Sequence, residues 1–250
     1  AVSHAEQAEA EGTRRLPLGG KPNTERQRRA LRLKKAPPSP NLMTEVSDIG
    51  CVILGAGFSR RFGGDKRTAL LGKKTVATTT LETYCSVFSN IRLVLRQEDE
   101  LAQLGIDLTN MANLDIVRAP MAHKGMGHSL SAGFAGLSWA WAFVGLLDMP
   151  FISKTTLVAL MTHAKNSSAP LVQPRLMETV DTAQADLERR HGHPLGIHHQ
   201  LFQEVRASTG DQGARRLLTH RASQIDYFDC SDTGVIRDID YPTDLSLQNL

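Results

Sequence analysis

Residues Leu54 to Lys66 read LGAGFSRRFGGDK and follow directly on the apolar run Cys51-Val52-Ile53. Glycines such as Gly55 and Gly57 let a backbone turn sharply at the end of a strand and let a ligand approach without side-chain obstruction. Ser59, Arg60, Arg61 and Lys66 add a hydroxyl and three positive charges. Backbone N–H groups together with guanidinium and ammonium groups are what a polyphosphate requires. Spacing excludes two familiar phosphate loops. The Gly-Lys-Ser/Thr ending of a Walker A loop is absent, and Arg60 stands where a dinucleotide fingerprint needs its third glycine.

A second candidate group is acidic. Asp148 follows Ala142–Leu147, a run apolar enough for a central strand, and a carboxylate at the mouth of such a strand sits where parallel sheets place ligand chemistry. Magnesium favours oxygen ligands and takes one or two carboxylates plus substrate phosphates. Asp240 or Asp238 could supply the second carboxylate, with Asp240 preferred; a turn residue before Met149-Pro150, or a cap at the helix-like start YPTDL, is the structural alternative for these acids. The stretch GHSLSAG (127–133) reads as a helix N-terminus with Ser129 and small residues facing either a ligand or the sheet. GDQGARRLL (210–218) reads as a loop into a helix with Asp211 as a possible N-cap and Arg215 and Arg216 exposed. His191, His193, His198 and His199 lie within nine residues, yet they match no H-E-x-x-H spacing and have no cysteine beside them.

These residues must be carried by a layered scaffold. Strand-like runs appear at CVILGA, IRLVLR, LDIVRA, AFVGLLD, PLVQP, PLGIHH and QIDYFD. Helical patterns over 74–88, 98–105, 128–139, 154–165, 199–207 and 211–220 lie between them. Alternating strand and helix predicts an α/β fold with a mostly parallel sheet covered on both faces, binding ligands beyond the carboxyl ends of its strands. No stretch approaches the ~18 consecutive apolar residues of a membrane helix. Three scattered cysteines fit a reducing compartment, with the cytoplasm as the expected location. The net charge of +3 is unevenly spread: residues 1–42 hold nine Lys/Arg against four Asp/Glu, so the remainder is slightly acidic and a nucleic-acid role is disfavoured for it. Residues 1–47 read as a disordered, basic, Pro-containing leader, and 48–250 as one domain.

The pattern Leu-small-small-Gly-x-Ser-x-Arg-Phe-Gly-x-Asp-Lys over Leu54–Lys66 resembles the nucleotide-binding signature of the MobA-like nucleotidyltransferases, and within them it is most similar to molybdenum cofactor cytidylyltransferases of the MocA type. GMGHSLSAG (125–133), LLDMPFI (146–152), GHP (192–194), GDQGARRLL and DIDYPTDL (238–245) resemble the later motifs in the same order. The resemblance implies a three-layer, Rossmann-like nucleotidyltransferase domain that transfers a nucleotidyl group, CMP from CTP by preference, to the phosphate of a molybdopterin-type cofactor. It implies that Arg61 and Lys66 neutralise the triphosphate. Leu54, Gly55, Ala56, Gly57, Ser59, Gly127 and Ser129 would surround the nucleotide. Asp148, with Asp240 or Asp238, would hold Mg2+, while His193, Asp211 and Arg215 would face the pterin acceptor. A client molybdoenzyme is the further partner implied. Two departures stand out: Gly55 replaces an alanine usual in the cytidylyl type, and 176–188 forms an insertion beside the acceptor region. A nucleotidyltransferase with another nucleotide or a sugar acceptor, or a catalytically silent cofactor-binding homologue, are the alternatives.

Overall fold

The computed structural model describes residues 49–59, 61–177 and 191–246, all within the unit Met43–Leu250. The expected leader, Arg60 and all but two residues of the 176–188 insertion lie outside the described residues. Strand β1 (Ile49–Leu54) is buried along its whole length, as its unbroken apolar run demands of a strand covered on both faces. It lies between β4 (Ile91–Arg96) and β6 (Trp141–Leu146), parallel to both. With β5 (Leu114–Ala119), β7 (Leu171–Leu176), β8 (Leu195–His198) and β9 (Ile225–Cys230) they form a seven-stranded sheet in the order β5-β4-β1-β6-β8-β7-β9. Only β8 runs against the others, antiparallel to both β6 and β7. Each expected strand run forms a strand. The short hairpin of β2 (Leu70–Leu71) and β3 (Lys74–Thr75) was not legible, because two-residue strands carry no periodicity.

Alternation along the strands divides the core into two layers. Cys51, Ile53 and Phe143 face helices α1 (Val76–Cys85) and α3 (Lys154–Asn166). Val52, Leu54 and Val144 face α2 (Met126–Phe134), α4 (Phe202–Arg206) and α5 (Arg215–His220). The result is a three-layer α/β domain with helices on both faces. No described helix is long and apolar enough to cross a membrane.

Two helix expectations fail. Residues 98–105 form turns, not a helix. The Asp99 carboxylate there is taken by the Arg96 N–H and the Arg67 guanidinium, while Leu101 and Leu104 still pack on the core. The helix expected from 211 begins only at Arg215, with Ala214 at its cap, so Asp211 is not an N-cap and remains in the loop. Among the C-terminal acids, Asp244 does the capping, accepting from the Asp240 and Tyr241 N–H groups at 2.9 and 2.7 Å.

Backbone bonds fix the strand ends that matter. The Leu147 N–H donates to Leu54 O at 3.0 Å, and the Ile239 N–H donates to Asp148 O at 2.9 Å. Ile239 is fully buried, so side-chain alternation turns Asp238 and Asp240 away from the core on either side of it. From α1, the buried Thr80 hydroxyl reaches Leu147 O at 2.9 Å and holds the peptide that precedes Asp148. Thr80→Val, nearly isosteric, removes that donor and should lower unfolding stability by about 1–2 kcal/mol, read from the urea midpoint. An unchanged midpoint would show that the Leu147 carbonyl does not depend on Thr80.

Candidate active site

The glycine loop leaves β1 with almost no room for side chains. A Cβ at Gly55 would lie 2.6 Å from Leu147 Cδ2 and 3.2 Å from Leu95 Cδ2. That packing accounts for the glycine at this position. Ser59 takes a positive φ of 46°, a conformation uncommon for a residue with a side chain, and its Oγ is buried without a hydrogen-bond partner. Strain and an unmet hydroxyl in one loop residue are affordable to a fold mainly where a ligand completes the site.

Arg67, which sequence reasoning passed over, anchors this loop. It is 3% exposed, and its guanidinium donates to Gly55 O at 2.5 Å. It also donates to Asp65 from Nε at 2.8 Å and Nη2 at 2.5 Å, and to Asp99 from Nη1 at 2.6 Å and Nη2 at 2.7 Å. All five N–H donors of an arginine are thereby satisfied, and none remains for a ligand. Arg96 joins from β4, donating to Asp65 Oδ2 at 2.7 Å. The only hint in the sequence was a third charge following Asp65-Lys66, since its partner Asp99 lies 32 residues on.

Held between these anchors, Lys66 points to the strand ends. Its Nζ lies 2.6 Å from Asp148 Oδ2 and 2.9 Å from Asp240 Oδ1. The largely exposed Arg61 reaches the other Asp240 oxygen at 3.0 Å. Burial pulls the Lys66 pKa down, but Asp148 and Asp240 outweigh it and hold the ammonium charged. The Lys66 hydrogen bond keeps the Asp240 carboxyl below the usual range despite burial. Asp238 goes the other way, raised by burial and then by the charges of Asp148 and Asp240. Two carboxylates thus converge on one cation, an arrangement of hard oxygens that could share a divalent ion while leaving its other positions to phosphate and water. No group of three or more His, Cys, Asp or Glu side chains able to hold a metal occurs among the described residues.

Two cavities open beside this cluster. The first, of about 300 Å3, is lined by Leu54, Gly55, Ala56, Gly57, Ser59 and Lys66 of the loop, by Ser129 of α2 and by Asp148. The second, of about 800 Å3, is lined by His193 and Arg215 among others, and shares Leu54, Met126, Leu146 and Asp211 with the first. Arg61 lines neither cavity and meets the site only through Asp240. Gly127 also stands back from the lining: a Cβ there would strike the Thr209 backbone at 2.6 Å, so its part is close packing of α2 on that loop. The four histidines do not converge on one point: His191 stacks on Tyr227, His198 packs edge-on against Trp141 and tilts against His199, and half-buried His193 donates from Nδ1 to Val144 O at 3.2 Å. Burial lowers the His193 pKa, so at neutral pH its Nε2 is an acceptor.

A glycine loop leaving the first strand of a mostly parallel sheet, with a lysine and strand-end carboxylates at its mouth, defines a nucleotidyltransferase domain. The chain belongs to the family of MobA-like NTP transferase domains, whose model matches residues 51–225. Among solved structures, the Mycobacterium tuberculosis rv0371c homolog from Mycobacterium sp. strain JC1 is 24% identical, with a TM-score of 0.65 over 80% of this chain and 94% of that one. Rv0371C of Mycobacterium tuberculosis H37Rv in complex with manganese is 19% identical, with a TM-score of 0.61 over 80% and 96%. A CMP:2-keto-3-deoxy-manno-octonic acid synthetase complexed with CTP is 13% identical, with a TM-score of 0.61 over 80% and 96%. At these identities the likeness is one of fold. No curated protein sequence matches the chain.

Removing the anchor should separate loop order from overall folding. Arg67→Ala leaves the Asp65 and Asp99 carboxylates to Arg96 alone and the Gly55 carbonyl without its donor, and should cost about 1–3 kcal/mol of stability. Arg67→Lys keeps the charge but loses the fork. It should remain folded by circular dichroism and bind nucleoside triphosphate on the order of tenfold more weakly, as a loss of about 1.4 kcal/mol requires. Unaltered affinity in the lysine variant would refute the anchoring role.

Proposed function

We propose that the chain catalyses magnesium-dependent transfer of CMP from CTP to the phosphate of a molybdopterin-type molybdenum cofactor, releasing pyrophosphate. The observation that carries this reading is the placement of Lys66, between Asp148 and Asp240 at the wall of the first cavity, which adjoins the second along Leu54, Met126, Leu146 and Asp211. One cavity takes the nucleotide and the other the acceptor.

In the first cavity the loop backbone from Gly55 to Ser59 and the Ser59 hydroxyl receive the nucleotide and Lys66 meets its phosphates, while Arg61, outside the lining, would turn to them from Asp240. Both cations are paired with carboxylates in the structure, so nucleotide binding exchanges protein ion pairs for phosphate contacts. Asp148 and Asp240 would hold the divalent ion, which supplies neutralisation of phosphate charge when bound. An acceptor phosphate oxygen, directed from the second cavity, attacks the α-phosphorus in line. A new P–O bond forms, and the bond to the bridging oxygen of the β-phosphate breaks with its electron pair leaving on pyrophosphate. Positioning and charge neutralisation account for most of the barrier reduction in such transfers, and no covalent enzyme intermediate is needed. Manganese and CTP in the complexes of structural relatives support the ion type and the base. Ala56 supports a pyrimidine: its methyl lies in the wall of the nucleotide cavity and narrows the space beside the base.

Lys66→Ala and Asp148→Asn should each lower kcat/KM by on the order of 10²–10³-fold with the circular dichroism spectrum intact, and Asp240→Asn should cost more than Asp238→Asn. In competition, CTP should exceed GTP and ATP in kcat/KM. Ala56→Gly should relax that ratio by a factor corresponding to about 1–3 kcal/mol or less. A clear preference for GTP or ATP would remove the cytidylyl assignment, and turnover only with sugar phosphates would remove the pterin acceptor.

A further inference from the structure

Asp240 lies at the end of a strap that crosses the ligand edge of the sheet from β9 to the end of β6. After β9 the chain passes through Asp232 and a 3-10 turn (Thr233–Ile236) before it reaches Asp238 and Asp240. The strap is fastened at successive points to the segment that follows β6. Asp232 meets Ser153, Gly234 lies against Phe151, and the Ile239 N–H donates to Asp148 O at 2.9 Å. The two segments thus run against each other, with Asp232 at one end and the site acids Asp148 and Asp240 at the other. Between the ends the His193 N–H donates to Val235 O at 2.7 Å, and Val235 and Ile239 are fully buried. A Cβ at Gly234 would lie 2.4 Å from Phe151 O, so the approach there is backbone to backbone.

The far end is held by one carboxylate. Asp232 Oδ2 accepts from the Ser153 N–H at 2.9 Å and from the Thr156 hydroxyl at 2.6 Å. Oδ1 accepts from the Gly234 N–H at 2.8 Å and so folds the first turn of the strap itself. Ser153 is the N-cap of α3, its own hydroxyl taking the Thr156 N–H at 3.1 Å. Asp232 therefore docks on the start of a 13-residue helix, where a negative charge is favoured. Burial pushes its pKa up, but the hydrogen bonds from Thr156, Ser153 and Gly234 outweigh it and hold the carboxyl below the usual range. Asp232 lines neither cavity. A turn alone would be served by the Gly234 N–H; the bonds to Ser153 and Thr156 join the strap to a second element.

That junction bears on the site because Asp240 belongs to no strand. Asp148 is carried by the end of β6, whereas Asp240 takes its place from the strap and from Asp244. A divalent ion tolerates little error in its ligands, closing at about 2.0–2.1 Å for magnesium, and groups that hold ligands in place are worth on the order of 10–100-fold in affinity. We propose that Asp232 is a positioning residue for the divalent ion: by clasping the strap to α3 it sets Asp240 opposite Asp148. This rests on the assignment of Asp148 and Asp240 as the ligands of that ion.

The test uses the full chain, isotope-labelled for NMR, with Mn2+ alone as the probe. Amides beside Asp148 and Asp240 should broaden as Mn2+ is added to the unaltered protein. Asp232→Ala should need on the order of tenfold more Mn2+ for the same broadening, the lower end of the range because Asp232 acts through the strap. In the absence of metal its Ile239 amide should exchange with solvent on the order of tenfold faster. Asp232→Asn keeps one acceptor oxygen and should fall between in both measurements, which preserves the comparison if the alanine variant does not fold. In an Asp240→Asn background Asp232→Ala should leave the Mn2+ titration where Asp240→Asn puts it, the coupling expected of one group acting through another. Arg206→Ala, which removes two bonds to Phe134 O and Leu137 O beyond the other end of α2, should move neither measurement. Unchanged Ile239 exchange in the Asp232 variants would overturn the inference. So would faster exchange with unaltered Mn2+ affinity, which would make Asp232 a support of the fold only, and so would additive effects with Asp240→Asn. Absence of broadening at Asp148 and Asp240 in the unaltered protein would overturn the metal assignment itself, and this inference with it.

Discussion

The guanidinium of Arg67 is the contact on which the site's geometry depends. It joins three segments: the exit of β1 at Gly55, the return of the loop at Asp65 and the turn after β4 at Asp99. A glycine-rich loop has high conformational entropy, and ordering it costs on the order of 1–2 kcal/mol per residue. Five short hydrogen bonds from one rigid, buried fork offset part of that cost. Because Asp65 is fixed by Arg67 and Arg96, its neighbour Lys66 has little choice of direction. The charge proposed to meet phosphate is thus aimed by one whose donors are all taken.

Lys66 in turn explains why the strand-end acids tolerate one another. Asp148, Asp238 and Asp240 are gathered by the Ile239 backbone bond, and like charges at such proximity repel. Lys66 lies against Asp148 and Asp240, with Arg61 on the outer oxygen of Asp240. Asp238 is left with the higher proton affinity of the group, through burial first and its acidic neighbours second. Lys66 and Arg61 thus balance the charges of Asp148 and Asp240 before any ligand arrives. In the proposed reaction a polyphosphate with its cation would enter by exchange, the cation taking the carboxylates and the phosphates taking Lys66 and Arg61, so that no buried charge is left unpaired at either stage.

Much of this architecture was legible in the chain because it rests on local pattern. Seven apolar runs separated by helical periodicity were sufficient for a layered α/β fold, and the loop Leu54–Lys66 carried its own chemistry in its spacing. What could not be read depends on contacts between distant residues. Arg67 looked like one more basic residue until Asp99 was brought to it. The stretch 98–105 has a helix-like composition, but Asp99 is committed to Arg96 and Arg67 and the segment turns instead. Asp211 looked like a cap, yet the chain needs four more residues before a helix begins, and the loop packs its Gly210 carbonyl on the Gly127 N–H.

The reversed strand supplies the last piece of the arrangement. In a parallel sheet each strand presents its exit at the ligand edge, so the residues after a strand do the chemistry, as they do after β1 and β6. β8 runs the other way, pairing Leu195 with Val144 near the end of β6. Its entry therefore lies at the ligand edge, and the residues before it, His191 to Pro194, enter the site. That reversal is what sets His193 against the Val144 carbonyl and brings the Gly192 N–H onto Pro174 O at the end of β7, beside Gln173. A sheet continued in parallel at this position would have sent a helical crossover across the same space. The single antiparallel strand leaves that edge open instead, and the second cavity occupies it, adjoining the first along Leu54 and Leu146.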